Sequence, residues 1–494
     1  MFGDLKLNKF KKNLQLIFVL LIFFSGTQFL IMEYTISSNN WFCGSNLNSK
    51  NNPREKNLSI AKSVMEAPSS PSITYDSENN LFLIYKESVG NYSKIALLKT
   101  ERPNIWNLTK EIIVEPENDT IINCYPQIRN LLNDTYIIYT TVSPYKSELV
   151  ILQLDTTMKL WNSFHQMINE TIVFSNPLIS AFNDTLWVSW LSYNEEEVSL
   201  YYSKFNQTTK KWLEGSLVSD LNGYNSQFSD LFIDNNGTGH FVWSEGEPNY
   251  KKVLYREIFA NDSKSEIKNI TDGSSNCIHP KVYVDGFNNT LIFWSNYTEI
   301  SPEMLGTINI HYSKKVNDSY WSKPRLFAPY LPPDREGMLA DSKKPFLASC
   351  QNNILYVAYE DHQPYPYFMG VALRGIYNNN LFDGEPISLT ITPCFDPQIV
   401  CDENNFVHCV WADFRISYYE IYYRVKFTNN TWSFEKQLTF YSSPAYVNIA
   451  GIYVGIILGT LFCFGVIPVS IYYILKKRQY KKIMQKRREE IQDI

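Results

Sequence analysis

The sequence predicts an all-β fold, a seven-bladed β-propeller, held outside a membrane between two apolar segments. Three observations predict it: one pattern recurs seven times at roughly 50-residue spacing, each copy reads as a set of short strands, and each end of the chain carries an uncharged run flanked by basic residues. The copies start at Pro71, Pro126, Pro177, Phe228 (in place of Pro), Pro280, Pro345 and Pro397. They close on Tyr85, Tyr139, Trp190, Trp243, Trp294, Tyr359 and Trp411.

At the amino end, Lys6, Lys9, Lys11 and Lys12 precede an apolar stretch from Leu14 to Met32. Residues 1–32 are therefore expected to be a secretory signal peptide or an uncleaved signal anchor, and both place the chain beyond Met32 outside. Residues 33–56, rich in Asn and Ser, are expected to form a stalk or cap. The repeats occupy 57–443. In the fourth copy Leu231-Phe232-Ile233 leads through Asp234-Asn235-Asn236-Gly237 to His240-Phe241-Val242-Trp243, and then to Val253-Leu254-Tyr255. Such runs, rich in β-branched and aromatic residues and bounded by turn residues, are strands. Four of them at this period make a propeller blade. Asp76, Asp234, Asp285 and Asp402 fall where a hairpin needs side chains that bond their own backbone.

Residues 446–475 are expected to span the bilayer, because no charged residue occurs from Val447 to Leu475 and that length suffices. The basic tail 476–494 opens with Lys476-Lys477-Arg478 and places that end in the cytoplasm. Gly451, Gly455 and Gly459 form a smooth stripe along the span, suited to homo- or hetero-association with a second helix. The predicted location is the cell membrane, with the propeller extracellular and the bilayer a partner.

Sequons agree. Asn57, Asn91, Asn107, Asn118, Asn133, Asn169, Asn183, Asn206, Asn236, Asn261, Asn269, Asn288, Asn296, Asn317 and Asn429 all lie between the two apolar segments, so they are expected glycosylation sites. Removing the +3 of residues 1–12 and the +5 of the tail from the chain's net −5 leaves the intervening region at −13. Such a charge disfavours nucleic acid as a partner. Seven cysteines lie in that region, an odd number that leaves at least one unpaired. The spacing of Cys394, Cys401 and Cys409 does not match a zinc site, and neither a metal nor a cofactor is expected.

The search for chemistry returns no HExxH pair, nucleophile elbow or phosphate-cradling glycine loop. His240 and His408 fall in second strands and His311 in a third, so they read as core or inter-blade residues. In a four-stranded meander, the loops between second and third strands share a face with the links between blades. That face is the expected binding site. It offers Glu245, Glu247, Asp361, His362, Tyr365, Asp413 and Arg415, with Arg335 in the longest link. Arg suits bidentate recognition of a carboxylate, while Asp413 and Arg415 also read as an ion pair that orders their own loop.

The segment Trp411-Ala412-Asp413-Phe414-Arg415 followed by Glu420-Ile421-Tyr422-Tyr423-Arg424 resembles the sialidase-like, or BNR-type, β-propeller repeats. Similar pieces run from Leu200 to Trp212 and from Ile310 to Trp321. The resemblance implies the propeller fold over about Pro71 to Thr439. The chain departs from that family in lacking Asp boxes, in lacking the early Arg-Ile-Pro segment, and in having seven copies against six blades. No catalytic residue is carried over. The expected function is a non-catalytic one, binding of an extracellular glycan or protein ligand. The alternatives are a membrane-anchored glycoside hydrolase and a structural subunit of a membrane complex.

Overall fold

The computed structural model describes residues 71–440 apart from 90–91, 103–104, 116–121, 132–133, 144–146, 156–159, 170–172, 183–184, 194–196, 207–210, 221–223, 248, 299–306, 318–319, 330–340, 365–366, 391 and 416–418, together with 472, 475–479 and 481–482. The expected signal segment, the stalk, the glycine stripe and nearly all of the expected span lie outside the described residues. Among the described residues, no helix is long and apolar enough to cross a membrane.

Seven antiparallel sheets succeed one another in chain order, each a meander whose strands pair with their sequence neighbours. The innermost strands are Ser72–Tyr75, Ile122–Leu131, Val173–Phe182, Ser226–Ile233, Asn276–Val284, Asp341–Ser349 and Cys394–Cys401. The outermost strand is a single piece in blades 1, 2, 4 and 7, and is broken in two in blades 3, 5 and 6. Seven apolar clusters hold the blades, one for each interface between neighbours. One of them joins Ile73, Leu81 and Leu83 of blade 1 to Val410, Ile421 and Tyr423 of blade 7, so the ring is closed. The closing aromatics are the bulk of these clusters: Trp243, Trp294, Trp411 and Tyr359 are almost wholly buried. Fourth-strand tryptophans complete the wedges, Trp106 against Tyr423 of blade 7 and Trp321 against Tyr255 of blade 4.

In blades 1, 4, 5 and 7 the first hairpin is built as its aspartate requires. Asp234 Oδ1 accepts the backbone N–H groups of Asn236 and Thr238. Asp76, Asp285 and Asp402 each do the same for the residues two and four positions on. Three residues after the aspartate the backbone enters the left-handed region, at Asn79, Gly237, Asn288 and Asn405, where Asn and Gly are tolerated best. Blade 6 makes the same turn around Cys350, with Asn353 at the left-handed position. Cys350 is disulfide-bonded to Cys401 of blade 7, while Cys277, Cys394 and Cys409 are unpaired and buried. His240 and His408 are core residues. Each places Nε2 3.3 Å from its blade's turn aspartate, Asp234 or Asp402. Their Nδ1 atoms sit 2.7 and 2.8 Å from the hydroxyls of Tyr255 and Tyr423.

The repeat's proline marks a β-bulge in the innermost strand. The residue before it has positive φ at Tyr125, Asn176, His279, Lys344 and Asp396, and the pairing register shifts there. In blade 4 the positive φ belongs to Phe228 itself. The position equivalent to the proline is therefore Ser229, and the expected start at Phe228 is one residue early. The proline pattern alone misplaces it because the bulge, not the proline, is what recurs.

Candidate functional site

In blades 2 to 7 the bulge turns one residue out of the regular innermost strand, and across blades 5 to 7 that residue is charged or titratable: His279, Lys344 and Asp396. Lys344, at the blade 6 bulge, donates its backbone N–H to Ser295 Oγ of blade 5. Its Nζ lies 2.9 Å from Glu360 Oε1 on the second strand of its own blade, Leu355–Pro364, and 2.9 Å from Asp396 Oδ1 at the blade 7 bulge. The Asp396 backbone N–H also donates to Glu360 Oε1. Lys343 Nζ stands 3.6 Å from Glu360 Oε2, an atom with no hydrogen-bond partner among the described residues. Glu360 is 0 % exposed, whereas Lys344 and Asp396 keep 30 % and 23 % of their side-chain surface.

Electrostatics follow from this packing. Burial alone would raise the Glu360 carboxyl, but Lys344 and Lys343 overcome it and hold it down at about 2. Burial would lower the Lys344 ammonium, but Asp396 and Glu360 push it up. Burial, reinforced by Lys343, lowers His362 to about 4. Burial and Lys344 lower His279 well below its ordinary value. Both imidazoles are therefore neutral near pH 7 beside an ionised Lys–carboxylate group. His279 Nδ1 and His362 Nε2 have no hydrogen-bond partner among the described residues. Asp341, opposite His362 across the strand pair, is raised by burial.

An aromatic wall adjoins the charges. The His362 ring meets Phe395 edge-on at 6.4 Å, Phe395 meets Tyr419 at 5.8 Å, and Tyr419 meets Phe414 at 5.0 Å. All these half-buried rings sit on the face that carries the links between blades.

The residues singled out by sequence divide into four groups. Asp361, Glu245 and Asp413 are buried and act within their blades. Asp361 accepts from Ser342 Oγ at 3.0 Å, and Glu245 accepts from Trp243 Nε1 at 2.9 Å. Asp413 accepts from Thr392 Oγ1, Cys394 Sγ and Trp411 Nε1. Arg415 is clamped between Asp413 at 2.6 Å and Glu435 at 2.8 Å, with its guanidinium over the Tyr422 ring. This is the loop-ordering ion pair rather than an open guanidinium. His362 belongs to the axial cluster. Glu247 is exposed on a separate cleft of blade 4 with Glu245. Tyr365 and Arg335 lie outside the described residues. Sequence reasoning missed Lys343, Lys344, Phe395 and Asp396. A signal for two of them exists: a charged residue directly before a repeat proline occupies the bulge.

Among the sequons, Asn236, Asn261, Asn269, Asn288 and Asn429 are exposed, and Asn107 and Asn296 are half-buried. At Asn261 and Asn429 the sequon hydroxyl, of Ser263 or Thr431, donates to the asparagine Oδ1 at 2.7 Å. The side chains of Asn57, Asn91, Asn118, Asn133, Asn169, Asn183, Asn206 and Asn317 lie outside the described residues.

No family model matches the chain, and no curated protein does. Among solved structures, it is similar to the alpha-L-arabinofuranosidase of Fusarium graminearum complexed with arabinobiose, at 12% identity over 64% of this chain and 92% of that one, with a TM-score of 0.43. It is also similar to the Aleuria aurantia lectin in complex with a fucosyl-GlcNAc disaccharide, at 12% identity over 65% and 95%, with a TM-score of 0.38. A prolyl endopeptidase gives 10% identity over 83% and 56%, with a TM-score of 0.45. These likenesses extend to the propeller fold and no further.

Proposed function

We propose that this protein is a membrane-anchored, cell-surface propeller that recognises a glycan without turning it over, and that the ligand seats on the loop-bearing face over blades 5 to 7. One observation carries the reading: the partly exposed Lys344–Asp396 pair stands beside the wall formed by Phe395, Tyr419 and Phe414. Aromatic faces take the apolar face of a sugar ring, and fixed charges take its hydroxyls. The sequence supports the same sector, because no sequon occurs between Asn317 and Asn429. The links and loops of blades 6 and 7 would thus be free of attached sugar. Anchoring through 446–475 rests on the apolar run and its basic flank.

A specific geometry favours the hydrolase as the second reading. Glu360 and Asp396 both reach one ammonium at 2.9 Å, which keeps their carboxylates too close for an inverting pair and leaves a retaining pair as the form a hydrolase would take. Against it, Glu360 is sealed from solvent and held ionised by Lys344 and Lys343.

The test is full-length protein in lipid nanodiscs on a glycan array, beside a panel of fluorogenic glycosides. Specific binding without turnover, weakened at least about tenfold, or about 1.4 kcal/mol, by Phe395→Ala, supports the recognition reading. Turnover abolished by Glu360→Gln replaces it with the hydrolase. Silence in both assays refutes both.

A further inference from the structure

Away from the axis, blade 4 carries an open cleft of about 390 Å³ lined by Asp220, Tyr224, Glu247, Tyr250, Lys252 and Asn269, with Leu254 and Ile267 among the apolar lining residues. Tyr224 and Tyr250 are 48 % and 57 % exposed. Exposed rings beside an apolar floor, with carboxylates and an ammonium around them, would suit a pyranose. Asn269 is itself a wall of this cleft and begins the sequon Asn269-Ile270-Thr271. It lies on the short edge strand Lys268–Asn269, directly opposite Leu254. The neighbouring residues are tied down: Ile270 donates its N–H to Val253 O, and Thr271 Oγ1 accepts from Val253 N. A sugar attached at Asn269 would therefore begin at the mouth of the cleft.

We propose that the occupant of this cleft is the chain's own Asn269-linked glycan, with its first sugar residues stacked on Tyr224 and Tyr250. Two features set the shape of the seat. Gly246 has φ +138° and a Cβ there would meet the Tyr250 carbonyl oxygen at 2.6 Å, so the Tyr250 hairpin closes tightly. The Lys252 side chain lies across Gly273, where a Cβ would come within 2.8 Å of it. The glycan would cover the exposed tyrosines and leave the outer edge of blade 4 unavailable to other ligands. The inference concerns blade 4 rather than the cluster of blades 5 to 7, and it stands or falls separately from ligand recognition there.

Asn261 supplies an internal reference. It is an exposed sequon at the tip of the turn after Tyr250–Ile258 in the same blade. Full-length protein from a glycosylating host is treated, folded, with a peptide-N-glycosidase, and occupancy at each asparagine is followed by glycopeptide mass spectrometry. The Asn269 glycan is expected to be released about tenfold more slowly than that at Asn261, as a protecting local equilibrium would give. Denatured protein should release both alike, and Tyr224→Ala/Tyr250→Ala should erase the difference in folded protein. An unmodified Asn269 overturns the proposal. So does release at the rate of Asn261, and so does protection that survives loss of both tyrosines.

Discussion

Lys344 joins two carboxylates, one of which no solvent reaches, and this sets what its loss would do. Lys344→Met leaves Glu360 and Asp396 facing each other without their shared cation. The expected cost is about 3 kcal/mol, in the range for removing one partner of a buried pair. Lys344→Met/Glu360→Gln should recover most of it, and urea unfolding of the two variants checks both figures. The same cluster makes the fold acid-sensitive in two stages. His362 and His279 are held below their ordinary value, so the unfolded chain takes up protons that the folded chain refuses, and stability falls as pH drops from about 6.5. Glu360 is held at about 2, so its contribution is full above its unfolded pKa of about 4.3 and is lost as pH falls toward 2. Unfolding free energy measured from pH 8 to pH 3 should therefore decline in two steps, and His362→Gln should shrink only the upper one. The reverse order of steps would sink the assignment. These residues were only half legible in sequence. Asp361, His362, Asp413 and Arg415 stood out because they are polar and come just after the closing aromatics. Alternation along the strand then sends Asp361 and Asp413 to cross-strand partners inside their blades, and only the neighbouring Glu360 to the axis. A period of two cannot say which of two adjacent acids goes inward when both faces of a sheet are covered.

At the scale of the blade, one device is used twice among the described residues. An aspartate in the first hairpin meets a histidine of the second strand, and that histidine meets a tyrosine of the third: Asp234, His240 and Tyr255 in blade 4, Asp402, His408 and Tyr423 in blade 7. It fastens three strands at the end away from the links. His408→Phe keeps the volume but leaves Asp402 and the Tyr423 hydroxyl without that partner. The expected loss is about 2 kcal/mol, the usual penalty for stranding buried polar groups, and thermal unfolding would measure it. His311, in blade 5, lacks this arrangement in the described residues and instead stacks on Trp294, so His311→Phe should change stability by less. The hairpins themselves were legible, since Asp followed by Asn and Gly dictates a turn by local chemistry. The bulge was not. It requires a left-handed residue before proline, a conformation that neighbour disfavours, and only the packing of inner strands around an axis imposes it. That is why the proline pattern places blade 4, which has no proline, one residue out of register.

For the whole molecule, the sevenfold repeat made the architecture legible, because a unit that cannot bury its own faces must stack on copies of itself. The covalent link from Cys350 to Cys401 was not legible, since an odd set of cysteines allows many pairings. It joins blades 6 and 7 across a sequence separation of 51. Chain-entropy arguments give such a loop about 4 kcal/mol. Cys350→Ser/Cys401→Ser should lower the denaturant midpoint accordingly, while an unchanged midpoint would mean that the link adds nothing the packing does not already supply. Among the described residues, blade 7 thus has a covalent tie on one side, and on the other apolar packing with a hydrogen bond from the Glu403 N–H to Asn79 Oδ1. Among the described residues no strand is exchanged between blade 7 and blade 1: the first contributes Cys394–Cys401 through Lys436–Gln437 from its own segment, and the second Ser72–Tyr75 through Ile105–Val114. The ring is therefore a chain of seven links with one seam. Tension applied between its two ends would act on that seam alone, with Trp106 and Tyr423 as its interlocking teeth, and the first mechanical event would be an opening of the annulus into an arc while every blade stayed whole.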